Sequence, residues 1–162
     1  MGLLSETQKP EIIIGNQHKD HRGTLSFIND FDLSHIKRMY TITHESVDVI
    51  RAWQGHRIES KYFKCIKGRF LVSIVAIDDW EAPSENLKPE LYILDAKKTE
   101  VLHVPSGYAN GFKALDVDSE LLVFSNLDLE SAKNDQYRFD QNLWLDWNDM
   151  DFSKFVINEK DY

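Results

Sequence analysis

Short runs of apolar residues, or of alternating apolar and polar residues, recur along most of the chain. They are rich in β-branched and aromatic side chains, and turn residues separate them at intervals of roughly 8–12 positions. The runs cover residues 11–14, 24–28, 37–43, 48–53, 61–66, 70–77, 91–94, 99–104, 111–115 and 120–126. Many short strands with little helical periodicity predict an all-β fold, either a sandwich or a barrel.

Two stretches interrupt this pattern. Residues 79–89 are polar and contain Pro83 and Pro89, which predicts a surface loop. Residues 129–135 predict a helical turn, and an irregular acidic tail follows. The tail carries four large aromatic side chains, at Trp144, Trp147, Phe152 and Phe155. Exposing them would be costly, so we expect the tail to pack onto the barrel or a partner subunit, or simply to cover the core.

The length of 162 residues and the 42% hydrophobic content predict one globular domain spanning residues 1–162. The formal net charge of -8 argues against nucleic-acid binding, which needs a basic surface. It does not exclude an anionic ligand, because a local group of cations can outweigh the mean field. Cys65 is the only cysteine, so no internal disulfide is possible, and its apolar neighbours predict a core residue.

The N-terminus has no basic segment followed by a long apolar stretch, so no signal peptide is predicted. No run approaches the roughly 18 apolar residues of a membrane span. Glu6 stands where a myristoylation signal has Ser or Thr. We therefore expect a soluble, cytoplasmic protein without a membrane partner.

A polar cluster ends the predicted strand at 48–53, and it reads Arg51-Ala52-Trp53-Gln54-Gly55-His56-Arg57. Because strand side chains alternate between faces, Arg51 and Gln54 share a face only past a bulge or bend, for which Gly55 is the candidate. In a regular strand, Gln54 and His56 share one face instead. A histidine near a strand end is more often structural or solvated than catalytic, and that alternative stays open.

A second cluster reads Val104-Pro105-Ser106-Gly107-Tyr108-Ala109-Asn110-Gly111-Phe112. Together the two clusters resemble the paired motifs of cupins, whose metal-binding members supply three histidines and a carboxylate. This chain has Gln54, His56, Glu59 and Asn110 at or near those positions. One imidazole, one carboxylate and two amides make a poor transition-metal site, so we predict no catalytic metal.

A third group is basic and lies near predicted strand ends and the C-terminus: Arg22, Arg38, Arg51, Lys61 and Lys160. Arginine is the preferred planar fork for phosphates. If these cations gather in one barrel mouth, they select an anionic ligand. Scattered surface cations are the alternative.

These motifs, in this order, resemble the dTDP-4-dehydrorhamnose 3,5-epimerases and the related dTDP-sugar 3,4-ketoisomerases from about Gly15 to Asp161. Asp20-His21-Arg22-Gly23 resembles the family's Asp-x-Arg-Gly, and the second cluster resembles the epimerases' Ile-Pro-x-Gly-Phe-Ala-His-Gly-Phe. Ile36-Lys37-Arg38-Met39-Tyr40 and Gln54-Gly55-His56 are closer to the ketoisomerases, which have His-x-His at the latter. Ile157-Asn158-Glu159-Lys160-Asp161 resembles the ending Leu-Ser-x-Lys-Asp.

The resemblance implies a cupin-type jelly-roll β-barrel with a short irregular or partly helical C-terminal tail. It also implies a pocket for a dTDP-4-keto-6-deoxy sugar, a homodimer, and no metal or other cofactor. Substrate contacts are expected from positions matching the family's binding residues, namely Arg22, Arg51, Lys61, Asn110 and Lys160, with Lys61 near the keto group. Asp161 matches the acid that orients the catalytic histidine.

The chain departs from the family at the residues that transfer protons. Gln54 stands at the base position and cannot take up a proton near pH 7, and Asn110 stands at the second-motif histidine. The acid tyrosine of the epimerases falls near Asp128 and Leu129. Losing a general acid or base costs about 10²–10⁴ in rate. Three residues could compensate, namely His56, Tyr40 and Asp161.

Three functions are compatible with these motifs. The first is an isomerase or epimerase that moves a proton next to the ketone of a nucleotide-linked 4-keto-6-deoxyhexose, with His56 as base. The second is a catalytically inactive cupin that keeps the nucleotide-sugar pocket. The third is a cupin acting on an unrelated small molecule.

Overall fold

The computed structural model describes residues 8–149, which form twelve strands and one short helix. In chain order the strands are β1 (Glu11–Ile14), β2 (Asn16–Asp20), β3 (Gly23–Phe27), β4 (Arg38–Thr43), β5 (Ile50–His56), β6 (Lys61–Lys67), β7 (Arg69–Ala76), β8 (Glu90–Asp95), β9 (Glu100–Val104), β10 (Tyr108–Ala114), β11 (Glu120–Ser125) and β12 (Tyr137–Arg138). Helix α1 (Leu129–Lys133) follows β11, and Asp128 caps its N-terminus. The predicted all-β fold and helical turn are confirmed.

Two five-stranded antiparallel sheets carry the fold. The first sheet has the order β1-β9-β6-β11-β4, and the second has the order β12-β5-β10-β7-β8. Strands β2 and β3 pair only with each other, as a separate hairpin. Strand β2, which reads NQHKD, and the two-residue β12 were not predicted, because neither has the alternating apolar residues of a half-buried strand.

The main core lies between the inner faces of the two sheets. The first sheet contributes Phe63, Leu102 and Leu121, among others, and the second contributes Phe70 and Phe112. All of these side chains are buried. Burying a large apolar side chain stabilises a fold by roughly 1.5–3 kcal/mol, so burial of this core stabilises the packing of the two sheets against each other.

An aromatic layer covers the outer face of the second sheet. It consists of Trp53, Trp80, Phe139, Trp144 and Trp147, whose rings contact one another in pairs. The indole nitrogen of Trp53 donates a hydrogen bond to the carbonyl of Leu143 at 2.9 Å, which fastens the tail to β5. The prediction that the tail packs onto the barrel is confirmed for Trp144 and Trp147, whereas Phe152 and Phe155 lie outside the described residues.

A β-bulge in β5 turns the first polar cluster towards the barrel interior. Asn110 of β10 faces Gln54, but Phe112 faces Arg51, so the two-residue step on β10 spans three residues of β5. Because Phe112 belongs to the main core, Arg51 and Gln54 both point inward. Of the two alternatives left open by the sequence, a bulge and a regular strand, the structure has the bulge, at residues 52–53 and not at Gly55.

Gly55 serves a different purpose in this strand. A Cβ atom placed on it would lie 2.7 Å from the Trp80 ring and 3.0 Å from the Phe139 ring. The missing side chain therefore lets the aromatic layer approach the backbone of β5 closely.

Candidate functional site

A cavity of about 750 Å³ opens beside the bulge, a volume typical of small-molecule sites. It is lined by Tyr40, Thr41, Ile42 and Thr43 of β4, by residues 50–54 of β5, by Asn110 and Phe112 of β10, and by Arg138 and Phe139. Four predicted binding or catalytic candidates, Tyr40, Arg51, Gln54 and Asn110, thus line one cavity.

Two arginines stand in the wall of this cavity. Arg51 comes from the bulged part of β5, and Arg138 comes from β12, where it pairs with Gln54. Both side chains belong to exposed residues, and within residues 8–149 neither forms an ion pair. Such guanidinium groups are free to bind phosphate oxygens in a bidentate manner. Sequence reasoning missed Arg138, since it lies in the tail that was interpreted as irregular.

The amide side chains of Gln54 and Asn110 face each other across the β5–β10 ladder. Asn110 is buried, and its Oδ1 has no hydrogen-bond partner among the described residues. An unpaired buried amide oxygen is costly, because it loses its water without gaining a donor. A hydroxyl or amide group of a bound ligand can supply the missing donor.

A buried ionic cluster centres on Glu59 and includes Arg38, His56, Lys61 and Ser125; we call it the Glu59 cluster. One carboxylate oxygen of Glu59, Oε2, lies 3.1 Å from Nη2 of Arg38 and accepts a hydrogen bond from the Ser125 hydroxyl at 3.0 Å. The other oxygen, Oε1, lies 3.4 Å from Nζ of Lys61 and 3.5 Å from Nδ1 of His56. Glu59 itself is only 2% exposed.

Charge pairing sets the protonation states in this cluster. Burial acts to raise the pKa of Glu59, but Lys61, His56, Arg38 and Ser125 outweigh it, so the pKa lies below its ordinary value. Burial lowers the pKa of His56, and the Lys61 ammonium lowers it further, against the opposing effect of Glu59. At neutral pH the cluster therefore holds an ionised Glu59 and an uncharged His56.

Asp135 fixes the orientation of His56, and sequence reasoning missed it. Its carboxylate accepts hydrogen bonds from the backbone N–H groups of Arg57, Ile58 and Glu59, at 2.7–3.0 Å. Its carbonyl lies 2.9 Å from Nδ1 of His56. Because a carbonyl can only accept, Nδ1 of His56 carries the proton, and Nε2 of the neutral ring is a free lone pair. This Nε2 is buried and has no hydrogen-bond partner among the described residues.

Tyr40 lies between the Glu59 cluster and the cavity. Tyr40 lines the cavity, while Cζ of Arg38 lies 5.1 Å and Nζ of Lys61 5.8 Å from the centroid of its ring. Both distances are within cation–π range. His56 and Lys61 are not among the cavity-lining residues, and they are 3% and 5% exposed.

The other sequence candidates lie elsewhere. Arg22 is exposed in the turn of the β2–β3 hairpin, where its Nη2 lies 2.6 Å from the Asp20 carboxylate, and it does not line the cavity. Of the predicted cations in the described residues, only Arg51 lines the cavity, whereas Arg38 and Lys61 belong to the Glu59 cluster. Lys160 and Asp161 lie outside the described residues. Burial raises the pKa of the Cys65 thiol to about 11, in line with a core residue.

Two further features concern the described part of the chain. Across residues 8–149, no three His, Cys, Asp or Glu side chains are grouped as metal ligands would be. No helix in the same range has the length and apolar character needed to cross a membrane.

Comparison with solved structures finds the same fold in proteins of low sequence identity. QdtA, a 3,4-ketoisomerase from Thermoanaerobacterium thermosaccharolyticum solved as a double mutant with TDP, superposes with a TM-score of 0.64 at 20% identity, covering 83% of this chain and 90% of that one. A dTDP-4-dehydrorhamnose 3,5-epimerase from Elizabethkingia anophelis NUHP1 gives 0.70 at 17% identity, covering 96% and 90%. The predicted cupin-type jelly-roll barrel is confirmed.

Sequence comparison is more specific. The probable low-salt glycan biosynthesis epimerase Agl13 of Haloferax volcanii is 30% identical over 140 residues, which cover 80% of this chain and 86% of that protein. The dTDP-sugar isomerase family model, described as dTDP-4-dehydrorhamnose 3,5-epimerase, matches residues 9–162. The chain therefore belongs to the dTDP-4-dehydrorhamnose 3,5-epimerase family.

Proposed function

We propose that this protein is an isomerase or epimerase of a dTDP-linked 4-keto-6-deoxyhexose, with His56 as the base. Family membership supports the substrate class and the reaction class. The choice of base rests on the free Nε2 lone pair of His56. The Asp135 carbonyl holds His56 in the tautomer that leaves this nitrogen unprotonated. The Lys61 ammonium belongs to the same cluster, because both residues contact Glu59. A neutral imidazole is suited to accept a proton near neutral pH.

The order of residues along two strands supports one orientation of the substrate. Along β5 the sequence from the Glu59 cluster outward is His56, Gln54 and then Arg51, and along β4 Tyr40 follows Arg38. The diphosphate then binds Arg51 and Arg138 in the cavity wall, and the sugar extends past Gln54 and Asn110 towards His56. Buried His56 meets the sugar only at that end.

In this arrangement the reaction begins with transfer of the C3 proton of the sugar to Nε2 of His56. The electron pair of the broken C–H bond moves to the keto oxygen, and Lys61 stabilises the resulting enolate. Protonation of the opposite face of C3 by a second group gives the epimer, and the proton held by His56 then replaces the one that this group gave up. Protonation of C4 instead, with transfer of the O3 proton to O4, moves the ketone to C3. The Tyr40 hydroxyl, in the cavity wall, is the proposed second proton carrier.

Proton NMR in deuterated water tests this proposal with dTDP-4-keto-6-deoxyglucose as substrate. We expect deuterium at C3 with the wild-type protein, and a rate about 10²–10⁴ lower with His56→Asn. The control is His103→Asn, because His103 is also buried but stacks on Tyr62 and lies 3.2 Å from the Ser60 hydroxyl, with no direct contact to a member of the Glu59 cluster. Exchange that persists unchanged in His56→Asn would exclude His56 as the base.

Two other outcomes assign the protein differently. Binding without any exchange, together with a gain of turnover in Gln54→His, would identify an inactive nucleotide-sugar-binding cupin. Deuterium at both C3 and C5 would indicate 3,5-epimerisation despite the substitutions at Gln54 and Asn110.

We also propose that the protein works as a homodimer in the cytoplasm. The β2–β3 hairpin pairs with neither sheet, and it exposes Leu25, which suits it to pack against a second copy. Arg22 at its turn would then be available to the nucleotide of the neighbouring subunit. Sedimentation of wild type against Leu25→Asp tests this: a dimer that becomes a monomer supports the proposal, and a monomeric wild type refutes it.

A further inference from the structure

The carboxylate of Glu59 makes contacts that the reaction proposed above leaves unused. Its Oε1 lies within 3.5 Å of both Nδ1 of His56 and Nζ of Lys61, so a single oxygen contacts the proposed base and the proposed enolate-binding cation. Its Oε2 is held by Arg38 and Ser125. The carboxylate is thereby fixed from β4, β6 and β11 at once.

We infer that Glu59 is a positioning residue that supplies the negative charge His56 needs when it takes a proton from the sugar. This inference rests on the proposed function. Glu59 acts through His56 and Lys61 and does not itself touch the substrate.

The charges around His56 support this assignment. The charges of Glu59, Asp135 and Lys61 act on the neutral ring, and Arg38 pairs with the other oxygen of Glu59. Tyr40 is the further titratable group that faces the two cations. These side chains therefore sum to zero charge before proton transfer. After it they carry one positive charge, which is matched by the negative charge of the enolate.

Removal of the Glu59 charge changes this balance. With glutamine at position 59, the site is already positive by one charge before the reaction and by two when His56 is an imidazolium. Charges a few ångströms apart interact strongly away from water, so proton uptake by His56 becomes harder. A weaker base removes the C3 proton more slowly, as expected from Brønsted behaviour.

A purely structural Glu59 makes a different prediction. A buried carboxylate that only holds β4, β6 and β11 together would destabilise the fold when replaced, because its cations lose their partner. In the molecules that remain folded, however, the pH dependence of the reaction would not move. The pH profile therefore separates the two roles.

The experiment compares Glu59→Gln and Glu59→Asp with wild type, using the rate of C3 exchange against pH. For Glu59→Gln we expect kcat to fall by about 10- to 100-fold, KM to change by less than about threefold, and the acidic limb of the profile to move to lower pH. Glu59→Asp keeps the charge and should leave the limb near its wild-type position. A limb that stays in place in Glu59→Gln, or that moves equally in both variants, would overturn the inference.

Glu100→Gln is the matched control. Glu100 is a second buried glutamate, at 4% exposure on β9, and no described cation lies within ion-pair distance of it. Its replacement removes a buried carboxyl group without touching the Glu59 cluster, so the acidic limb should stay at its wild-type position. A limb shift in this control as large as that of Glu59→Gln would count against a specific role for Glu59.

A second measurement does not depend on turnover. Nitrogen NMR of histidine-labelled wild-type protein should show His56 with its proton on Nδ1, and titration should show a lower His56 pKa in Glu59→Gln than in wild type. If wild type shows no exchange, the proposed function fails, while this titration still decides whether Glu59 controls His56. Finding the Nε2–H tautomer in wild type, or equal His56 pKa values, would refute the positioning role.

Discussion

At the scale of single residues, the site is built from side chains whose partners are far away in sequence. The Asp135 carbonyl orients His56 across 79 positions, and Arg138 joins Arg51 in one cavity wall. The sequence motifs predicted His56, Arg51, Gln54 and Asn110 as candidates because local patterns mark them. They did not predict Asp135, because nothing in a lone aspartate at the end of a helical turn indicates which backbone it will cap.

A first prediction at this scale concerns the unpaired arginines. Replacing Arg51 or Arg138 by alanine removes a guanidinium group that is free to bind a phosphate, so the affinity for dTDP should fall by about tenfold or more in each variant. Isothermal titration calorimetry at fixed salt concentration measures the dissociation constant for dTDP.

The matched control for this prediction is Arg69→Ala. Arg69 is also partly exposed, but it pairs with Asp116 at 2.9 Å and does not line the cavity. Its replacement should leave dTDP affinity within about twofold of wild type, within the usual size of effects at remote surface positions. Equal losses in all three variants would show that general charge, and not the cavity wall, governs binding.

At the scale of strands and segments, the bulge in β5 was predictable in kind but not in place. The odd spacing means that Arg51 and Gln54 share a face only past an irregularity, and glycine was the candidate marker for it. The structure uses residues 52–53 instead and assigns Gly55 to the contact with Trp80. The position of a bulge depends on the register with the partner strand, here β10. The sequence of β5 alone does not determine that register.

The tail permits a second prediction. Trp147 is 2% exposed, its ring centroid lies 5.4 Å from that of Trp53, and its carbonyl accepts a hydrogen bond from Lys113 at 3.2 Å. Trp147→Ala leaves a large cavity against the second sheet, so we expect a loss of about 3–5 kcal/mol in the free energy of unfolding. Urea denaturation followed by far-ultraviolet circular dichroism measures it, with Leu129→Ala as the control.

Leu129 is a suitable control because its residue is 56% exposed on α1. Its replacement should change the free energy of unfolding by less than about 0.5 kcal/mol. A loss below about 1 kcal/mol in Trp147→Ala would mean that the tail rests on the sheet without contributing to its stability.

At the scale of the whole molecule, the sheet architecture was the easiest feature to predict. Ten periodic runs correspond to ten strands, since half-buried antiparallel strands alternate apolar and polar side chains. The assignment of strands to two sheets was accessible only through the family resemblance. Hydrophobic alternation identifies a strand's buried face, but it does not identify the strand's neighbours.

A third prediction concerns the pH dependence of stability. Burial lowers the pKa of His44, His56 and His103, so the folded protein binds fewer protons there than the unfolded chain does. Their contribution to stability is therefore complete above the unfolded pKa of about 6.5, and it is lost as the pH falls below that value. The free energy of unfolding should be level from about pH 7 to 8 and decline below about pH 6.5.

His103→Gln should reduce the slope of this decline, because glutamine can keep a hydrogen bond to Ser60, whose hydroxyl lies 3.2 Å from Nε2 of His103, without binding a proton. His18→Gln is the control, since the His18 side chain is 68% exposed. Urea midpoints measured across this pH range test the prediction. A flat profile down to pH 5 would contradict it.

The aromatic layer on the second sheet also determines what optical spectroscopy can report about this molecule. All four tryptophans of the chain, at positions 53, 80, 144 and 147, lie in or against that layer. Intrinsic indole emission therefore does not report directly on the first sheet, whose Tyr62 contacts the rings of His103 and Phe31. If a nucleotide changes the emission on binding in the cavity, the responsible fluorophore would be Trp53, which is next to Gln54 in the cavity lining. A thermal transition seen by emission before the loss of the amide signal would record the tail detaching from an intact barrel.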